Sequence, residues 1–237
     1  MSTAMISGFG QFHTAERDPA NPAKKITPYI TTTLAQIRGL VDKPQAVDKA
    51  QAQWLIPSTL PSRSFAKQEA QGEFWMLWAD FDENPKPLQE VADALIFDVL
   101  GNVNFEVYTS RSATAEKPKA RVLIPLDKPL SGADWILAQE VFNDLLAGAG
   151  FTPDRVSERP AQLCYLPNRG AHYESLSERD QVTFDPLKSW AKEITAKRQA
   201  LLDQASALEA ARKAAEGRRK AFSEARQASG RPGLIEA

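Results

Sequence analysis

The stretch FWMLWADFDE, residues 74–83, decides how the chain is read. An apolar and aromatic run, Phe74 to Ala79, passes directly into Asp80-Phe81-Asp82-Glu83 and then the turn residues Asn84-Pro85. Such a run predicts a buried β-strand over Phe74–Asp82, central in its sheet. Side chains alternate along a strand, so Asp80 and Asp82 share one face with their carboxylates about 6 to 7 Å apart. Two like charges there repel unless a cation joins them, and oxygen donors at that spacing suit a hard divalent ion, Mg2+ or Mn2+. The alternative is a solvated strand-to-turn junction, where aspartate before Asn-Pro is common.

Working outward, LQEVADALIFDVLG reads as an amphipathic helix stopped at Gly101. VNFEVYTS (103–110) and ARVLIPL (120–126) read as strands joined by the polar connection SATAEKPK. Ser131 caps a helix over GADWILAQEVFNDLLAGAG, and QLCYLP (162–167) closes the set as a short buried strand. Strand, helix, strand, strand, helix, strand predicts an α+β fold: a split βαβ unit like an RNA-recognition motif, with an antiparallel sheet and helices on one face.

The flanks are less regular. Residues 1–24 carry no sustained period and read as a flexible arm. ITTTLAQIRGLV reads as either a strand or the start of a helix, PQAVDKAQAQWLIP as a short helix leading to an apolar stop, and STLPSRSFAKQEAQGE (58–73) as a polar loop. From Leu187 to about Arg231 the chain is rich in Ala, Lys, Arg, Glu and Leu without proline until Pro232, which predicts one long helix or a helical pair. Its cations, densest at Gly217-Arg218-Arg219-Lys220, either track a phosphate backbone or form a solvated face. SGRPGLIEA joins linker residues to a fresh apolar segment, so the expectation is a chain leading on to a further C-terminal region.

A net charge of -1 removes any bulk electrostatic case for nucleic acid or membrane and leaves only local patches. The single cysteine, Cys164, rules out an intrachain disulfide framework and a multi-cysteine zinc site, which fits a reducing compartment. No window approaches the ~18 apolar residues of a membrane span. MSTAMISGFGQFHTAERD lacks a signal core, so the protein is read as cytoplasmic.

Two further clusters complement the aspartate pair. In YTSRSATAEKPKARVLIPL (108–126) a strand ends in Thr109-Ser110-Arg111-Ser112, and Lys117, Lys119 and Arg121 lead back into the next strand. Hydroxyls and cations at neighbouring strand ends suit phosphate oxygens, although Lys117 and Lys119 read equally well as routine surface lysines. In FTPDRVSERPAQLCYLPNRG (151–170), Asp154 either completes a three-carboxylate cluster or is a turn residue after Pro153. Ser157, Arg159, Asn168 and Arg169 supply further polar groups there, and Cys164 reads as a small core residue. His13 and His172 have no partner at a recognisable spacing, and the G-x-x-x-x-G-K-[ST] phosphate loop is absent.

Taken in order, WADFDE, the YTSRSATAEKPKARVLIPL hairpin and Asp154 before LCYLP resemble the three motifs of the archaeo-eukaryotic primase (AEP) superfamily, particularly the primase-polymerase domains of phages, plasmids and mobile elements. The resemblance covers roughly residues 54 to 170. The family's second motif carries histidine two places after a small hydroxyl residue, whereas this chain has Thr109-Ser110-Arg111-Ser112. Arginine there is a permanent phosphate-binding cation.

The resemblance implies an N-terminal α/β half joined to the RNA-recognition-like half within a catalytic domain over residues 25–186, followed by a basic helical extension and linker, 187–237. It implies a DNA primase or polymerase, a nucleotidyltransferase using nucleoside triphosphates and a single-stranded DNA template, with a helicase or other replication protein as partner. Asp80, Asp82 and Asp154 would hold Mg2+ or Mn2+. Ser110, Arg111, Ser112, Lys119 and Arg121 would hold the triphosphate, and Arg63, Lys67, Arg218, Arg219 and Lys220 the nucleic-acid backbone. A non-catalytic single-stranded nucleic-acid-binding module and a metal-dependent replication-initiator nuclease are the alternatives.

Overall fold

The computed structural model describes residues 3–10, 16–18, 21–26 and 29–228. His13 and the SGRPGLIEA segment lie outside the described residues. The chain divides into two units, Met1–Ala191 and Lys192–Ala237.

The first unit opens with β1 (Ala4–Phe9), β2 (Glu16–Asp18), β3 (Asn21–Ile26) and β4 (Ile30–Thr33), followed by α1 (Leu34–Asp42) and β5 (Gln53–Ile56). After α2 (Phe65–Gln71) come β6 (Glu73–Phe81), α3 (Leu88–Ala94), β7 (Phe105–Thr109), β8 (Ala120–Ser131) and α4 (Gly132–Gly148). Two short strands, β9 (Cys164–Tyr165) and β10 (Ser175–Glu178), and a single turn of helix, α5 (Pro186–Ser189), end the unit. The described residues of the second unit belong to one helix, α6 (Ala191–Ala228), the first of the two readings, one long helix or a helical pair.

Two four-stranded antiparallel sheets carry the first unit, in the orders β4-β1-β5-β9 and β10-β7-β8-β6, while β2 and β3 pair with each other. The fold is mixed α and β, as expected, with four corrections to the elements and their order. Residues 4–9 are not a flexible arm: β1 is an inner strand whose Met5, Ile6 and Ser7 are buried. The segment read as a polar loop contains α2, capped by Ser64. α2 lacks an apolar period because its one buried side chain is Gln68, whose amide donates to the Leu60 and Ser62 carbonyls. The strand in QLCYLP leaves the expected sheet and pairs with β5 through Trp54↔Tyr165 and Leu55↔Cys164, so the fourth strand beside β7 is β10.

β6 is also not central. It lies at the edge of its sheet, yet from Met76 to Phe81 its residues are buried. An exposed edge would leave a row of unpaired backbone groups, and here other segments take them up. Trp75 N–H donates to the Pro57 carbonyl, Trp135 Nε1 donates to the Met76 carbonyl, and the Asp154 N–H donates to the Asp80 carbonyl. The Gln139 amide both accepts from Trp78 N–H, at 3.1 Å, and donates to the Trp78 carbonyl, at 2.8 Å. The apolar sequence therefore reports burial by α4 and the loops, not a flanking strand on each side.

Alternation along β6, β7 and β8 sends Leu77, Ala79, Phe81, Val107, Val122 and Ile124 to one face. α3 lies against β7, and α4 against β6 and β8. The opposite face carries Trp78 and Asp80, Arg121 and Leu123, and Glu106 and Tyr108, and it is turned toward β9: the Tyr108 hydroxyl donates to the Tyr165 carbonyl at 2.8 Å. A charged row is thus enclosed between two sheets, an arrangement that requires partners for each charge. No helix among the described residues is long and apolar enough to cross a membrane.

Candidate active site

Strand register sets the centre of the site. Asp80 stands opposite Arg121, and Arg121 opposite Tyr108, so three polar side chains form a row across one sheet face. Asp80 Oδ2 accepts from Arg121 Nε at 2.9 Å and from Nη2 at 2.8 Å. Asp80 Oδ1 is buried without a hydrogen-bond partner. Burial pushes the Asp80 carboxyl above the usual aspartate range against the pull of Arg121, and the charges of Asp82 and Asp154 push the same way. Burial works against the Arg121 charge, but Asp80, Tyr108 and Cys164 together hold its guanidinium above the ordinary value.

Asp82, just past the strand end, is about half exposed and is paired with Lys119 Nζ at 3.4 Å. The sequence implied that a bound cation offsets this acidic strand end. The chain itself supplies two cations, Arg121 and Lys119, from the facing strand β8 and the residue before it.

Asp154 reaches the site through its backbone, by the hydrogen bond to the Asp80 carbonyl at 2.8 Å. Its side chain caps the short turn Arg155–Glu158 by accepting from Val156 N–H at 3.0 Å. Among the described residues, no three His, Cys, Asp or Glu side chains already stand close enough together to hold a metal ion. The donor chemistry nevertheless fits one: a buried carboxylate oxygen without a donor, flanked by two further aspartates, is what a hard divalent ion satisfies. Asp80 and Asp82 would be its ligands, with Asp154 adding charge beside them.

Beside the aspartates lies a cleft of about 370 Å3 lined by Lys49, Ala52, Asp82, Ser110, Arg111, Ser112, Arg121, Tyr165, Leu166 and Asn168. The turn after β7 supplies its hydroxyls: Ser110 N–H donates to the Lys119 carbonyl, and the Ser110 and Ser112 hydroxyls are 3.3 Å apart. Arg111 crosses from this turn to Asp48, with Nη2 to Oδ1 at 2.9 Å. Four of the five residues expected to hold phosphates line the cleft, and the fifth, Lys119, is paired with a fifth lining residue, Asp82.

The other wall comes from the sheet that contains β5 and β9, and sequence reasoning missed most of it. Lys49 sits over the Tyr165 ring, 5.4 Å from its centroid, and the Tyr165 hydroxyl donates to the Gly10 carbonyl at 3.4 Å. Of this wall only Asn168 had a sequence signal, as a polar residue after LCYLP. Its side-chain amide pairs with both backbone groups of Val47. Glu106 was missed too. It is fully buried on β7 and is held by Arg38 at 2.8 Å and Arg179 at 2.9 Å.

The remaining candidates lie elsewhere. Arg63 and Lys67 are exposed and do not line the cleft, although the Arg63 charge reaches the Tyr165 hydroxyl. Arg218, Arg219 and Lys220 are exposed on α6. Cys164 is fully buried with its sulfur 3.8 Å from the Tyr108 hydroxyl, and burial pushes its thiol up to about 12. His172 lies beside Glu174 at 3.4 Å.

No protein-family model matches the chain, and no curated protein matches it in sequence. Among solved structures it is similar to the AEP domain of the cyanophage S-2L primase-polymerase, with 14% identity and a TM-score of 0.45 over 79% of this chain and 86% of that one. At that level the likeness assigns no activity, so function is argued from the side chains.

Proposed function

We propose that the protein is a nucleotidyltransferase of the primase-polymerase kind, which starts or extends a strand from nucleoside triphosphates on a single-stranded DNA template. The observation that carries this reading is the buried, unpartnered Asp80 Oδ1, on a carboxyl that feels the charges of Asp82 and Asp154 and is bound to Arg121, which with Asp82 lines a cleft of hydroxyls and cations. Bound Mg2+ or Mn2+ would supply Lewis acidity at the primer 3′-hydroxyl and positive charge at the triphosphate. Asp80 and Asp82 would hold the metal, and Asp154 would deepen the negative potential that attracts it.

Arg111, Lys119 and Arg121 then meet the phosphates, with Ser110 and Ser112 donating hydrogen bonds. The 3′-hydroxyl oxygen bonds to the α-phosphorus, the α–β phosphoanhydride bond breaks, and pyrophosphate departs with its charge neutralised by these cations. The hydroxyl proton leaves to solvent. Template contact would be dominated by the sugar-phosphate backbone, from Arg63 and Lys67 and from the basic stretch Arg218-Arg219-Lys220.

The test is synthesis on single-stranded DNA with Mg2+ or Mn2+, using ribo- and deoxynucleoside triphosphates, with and without primer. Wild type should lengthen product, and Asp82→Asn should lower the rate at least about a hundredfold, as loss of one charge-stabilising group does. Cleavage of the template in place of growth supports the nuclease reading and defeats this one. A second reading, a non-catalytic nucleic-acid-binding module, draws on one observation: Arg121 and Lys119 already neutralise the aspartates without metal. It predicts DNA binding that survives EDTA and no synthesis under any of these conditions.

A further inference from the structure

Three cations at or beside the cleft are each held by an aspartate: Arg121 by Asp80 at 2.8 Å, Lys119 by Asp82 at 3.4 Å and Arg111 by Asp48 at 2.9 Å. The first two aspartates belong to the proposed metal site. Asp48 does not, and it reaches Arg111 from the segment between α1 and β5.

Both ends of this contact are fixed by backbone. On the Asp48 side, Val47 N–H donates to Asn168 Oδ1 at 3.0 Å, Asn168 Nδ2 donates to the Val47 carbonyl at 2.9 Å, and Arg169 N–H donates to the Gln45 carbonyl at 2.7 Å. On the Arg111 side, Gly170 lies so close to the Arg111 carbonyl oxygen that a Cβ there would clash with it. Arg111 Nη1 also donates weakly to the Arg169 carbonyl at 3.5 Å. The segment 167–170 therefore docks the Asp48 loop on one side and the Arg111 turn on the other, and it presents the two charges to each other. Neither charge is buried: the Asp48 side chain is 84% exposed and that of Arg111 41%. The pair can open to solvent at small cost.

We infer that Asp48 competes with the substrate for Arg111, holding the guanidinium until a triphosphate displaces it. This rests on the proposed triphosphate site. A ligand that engages Arg111 must displace Asp48, so the carboxylate lowers apparent affinity by the fraction of molecules in the paired state. Removing its charge tightens binding. The effect is small, about two- to fivefold, which is the range of exposed ion pairs, and it shrinks as salt rises.

The experiment is titration of the full chain with inorganic triphosphate and with a nucleoside triphosphate, in Mg2+ and in EDTA, at two salt concentrations. Wild type, Asp48→Asn, Arg111→Ala and the double variant are compared, with thermal melting to check folding. Asp48→Asn should bind both ligands about two- to fivefold more tightly at low salt. Arg111→Ala should bind more weakly, and in its background Asp48→Asn should change nothing. If Asp48 instead served to hold Arg111 ready for phosphate, Asp48→Asn would weaken binding, and that outcome, or no change, overturns the inference while Arg111→Ala still supports the site. Wild type that binds neither ligand overturns both the inference and the proposed function.

Discussion

Replacing Arg121 with methionine tests the buried charge row at its centre. Methionine keeps much of the side-chain bulk but leaves Asp80 without the two hydrogen bonds to Oδ2 and without the cation paired with it, beside the charges of Asp82 and Asp154. Removing one partner of a buried pair costs about 3 to 5 kcal/mol. In a folding unit of this size about 2 to 4 °C of Tm follows each kcal/mol, so the metal-free variant should melt about 6 to 20 °C below wild type at pH 7. The loss has a pH signature. The Asp80 carboxyl is already raised in the native state, and removing Arg121 raises it further. An acid whose folded value exceeds its unfolded one loses stability as pH rises from the unfolded value through the folded one, so the deficit should be small near pH 4 and widen toward neutrality. Thermal melts in EDTA across that range measure it. Adding Mn2+ should raise Tm more in the variant than in wild type, because the ion takes over the compensating charge. Asp80→Asn combined with Arg121→Met, which removes both charges, should recover much of the loss. A variant that melts within about 2 °C of wild type at pH 7, against the shift expected for a broken buried pair, would refute the burial of this charge. Mn2+ with equal effects on both proteins would refute the cation site.

Two other substitutions probe the scaffold. Gln139→Leu leaves the Trp78 N–H and carbonyl buried without partners. At about 1 to 3 kcal/mol for each orphaned group, urea unfolding should show a loss of about 2 to 6 kcal/mol with an unchanged m-value. Cys164 should resist alkylation in the native protein at pH 8 and react once unfolded, since burial holds its thiol near 12. The same shift makes its contribution to stability complete below about pH 9 and lost between there and its folded value, read as a falling Tm on alkaline titration that Cys164→Ala reduces.

What could be read from sequence divides along a physical line. Elements whose side chains alternate or recur at helical spacing, such as β6, β7, β8 and α4, were legible because burial of one face imprints a period on the chain. α2 and β1 were not: α2 buries a glutamine rather than an apolar stripe, and β1 is a six-residue strand between segments without pattern. Sheet order was illegible for a different reason. An apolar run states that a strand is covered, not by what, and β6 is covered on its edge by Pro57, Trp135, Gln139 and Asp154 rather than by a neighbouring strand. That substitution bears directly on the candidate site. Strand order before LCYLP offered Asp154 a place beside Asp80 through a shared sheet, but β9 belongs to the other sheet. Asp154 stands there because its N–H satisfies the open edge of β6 at the Asp80 carbonyl. An edge strand leaves outward-facing carbonyls free for a loop residue to cap, whereas a central strand would have spent them on a ladder. The edge position of β6, which the apolar sequence concealed, is therefore what allows a third carboxylate to approach the pair in FWMLWADFDE.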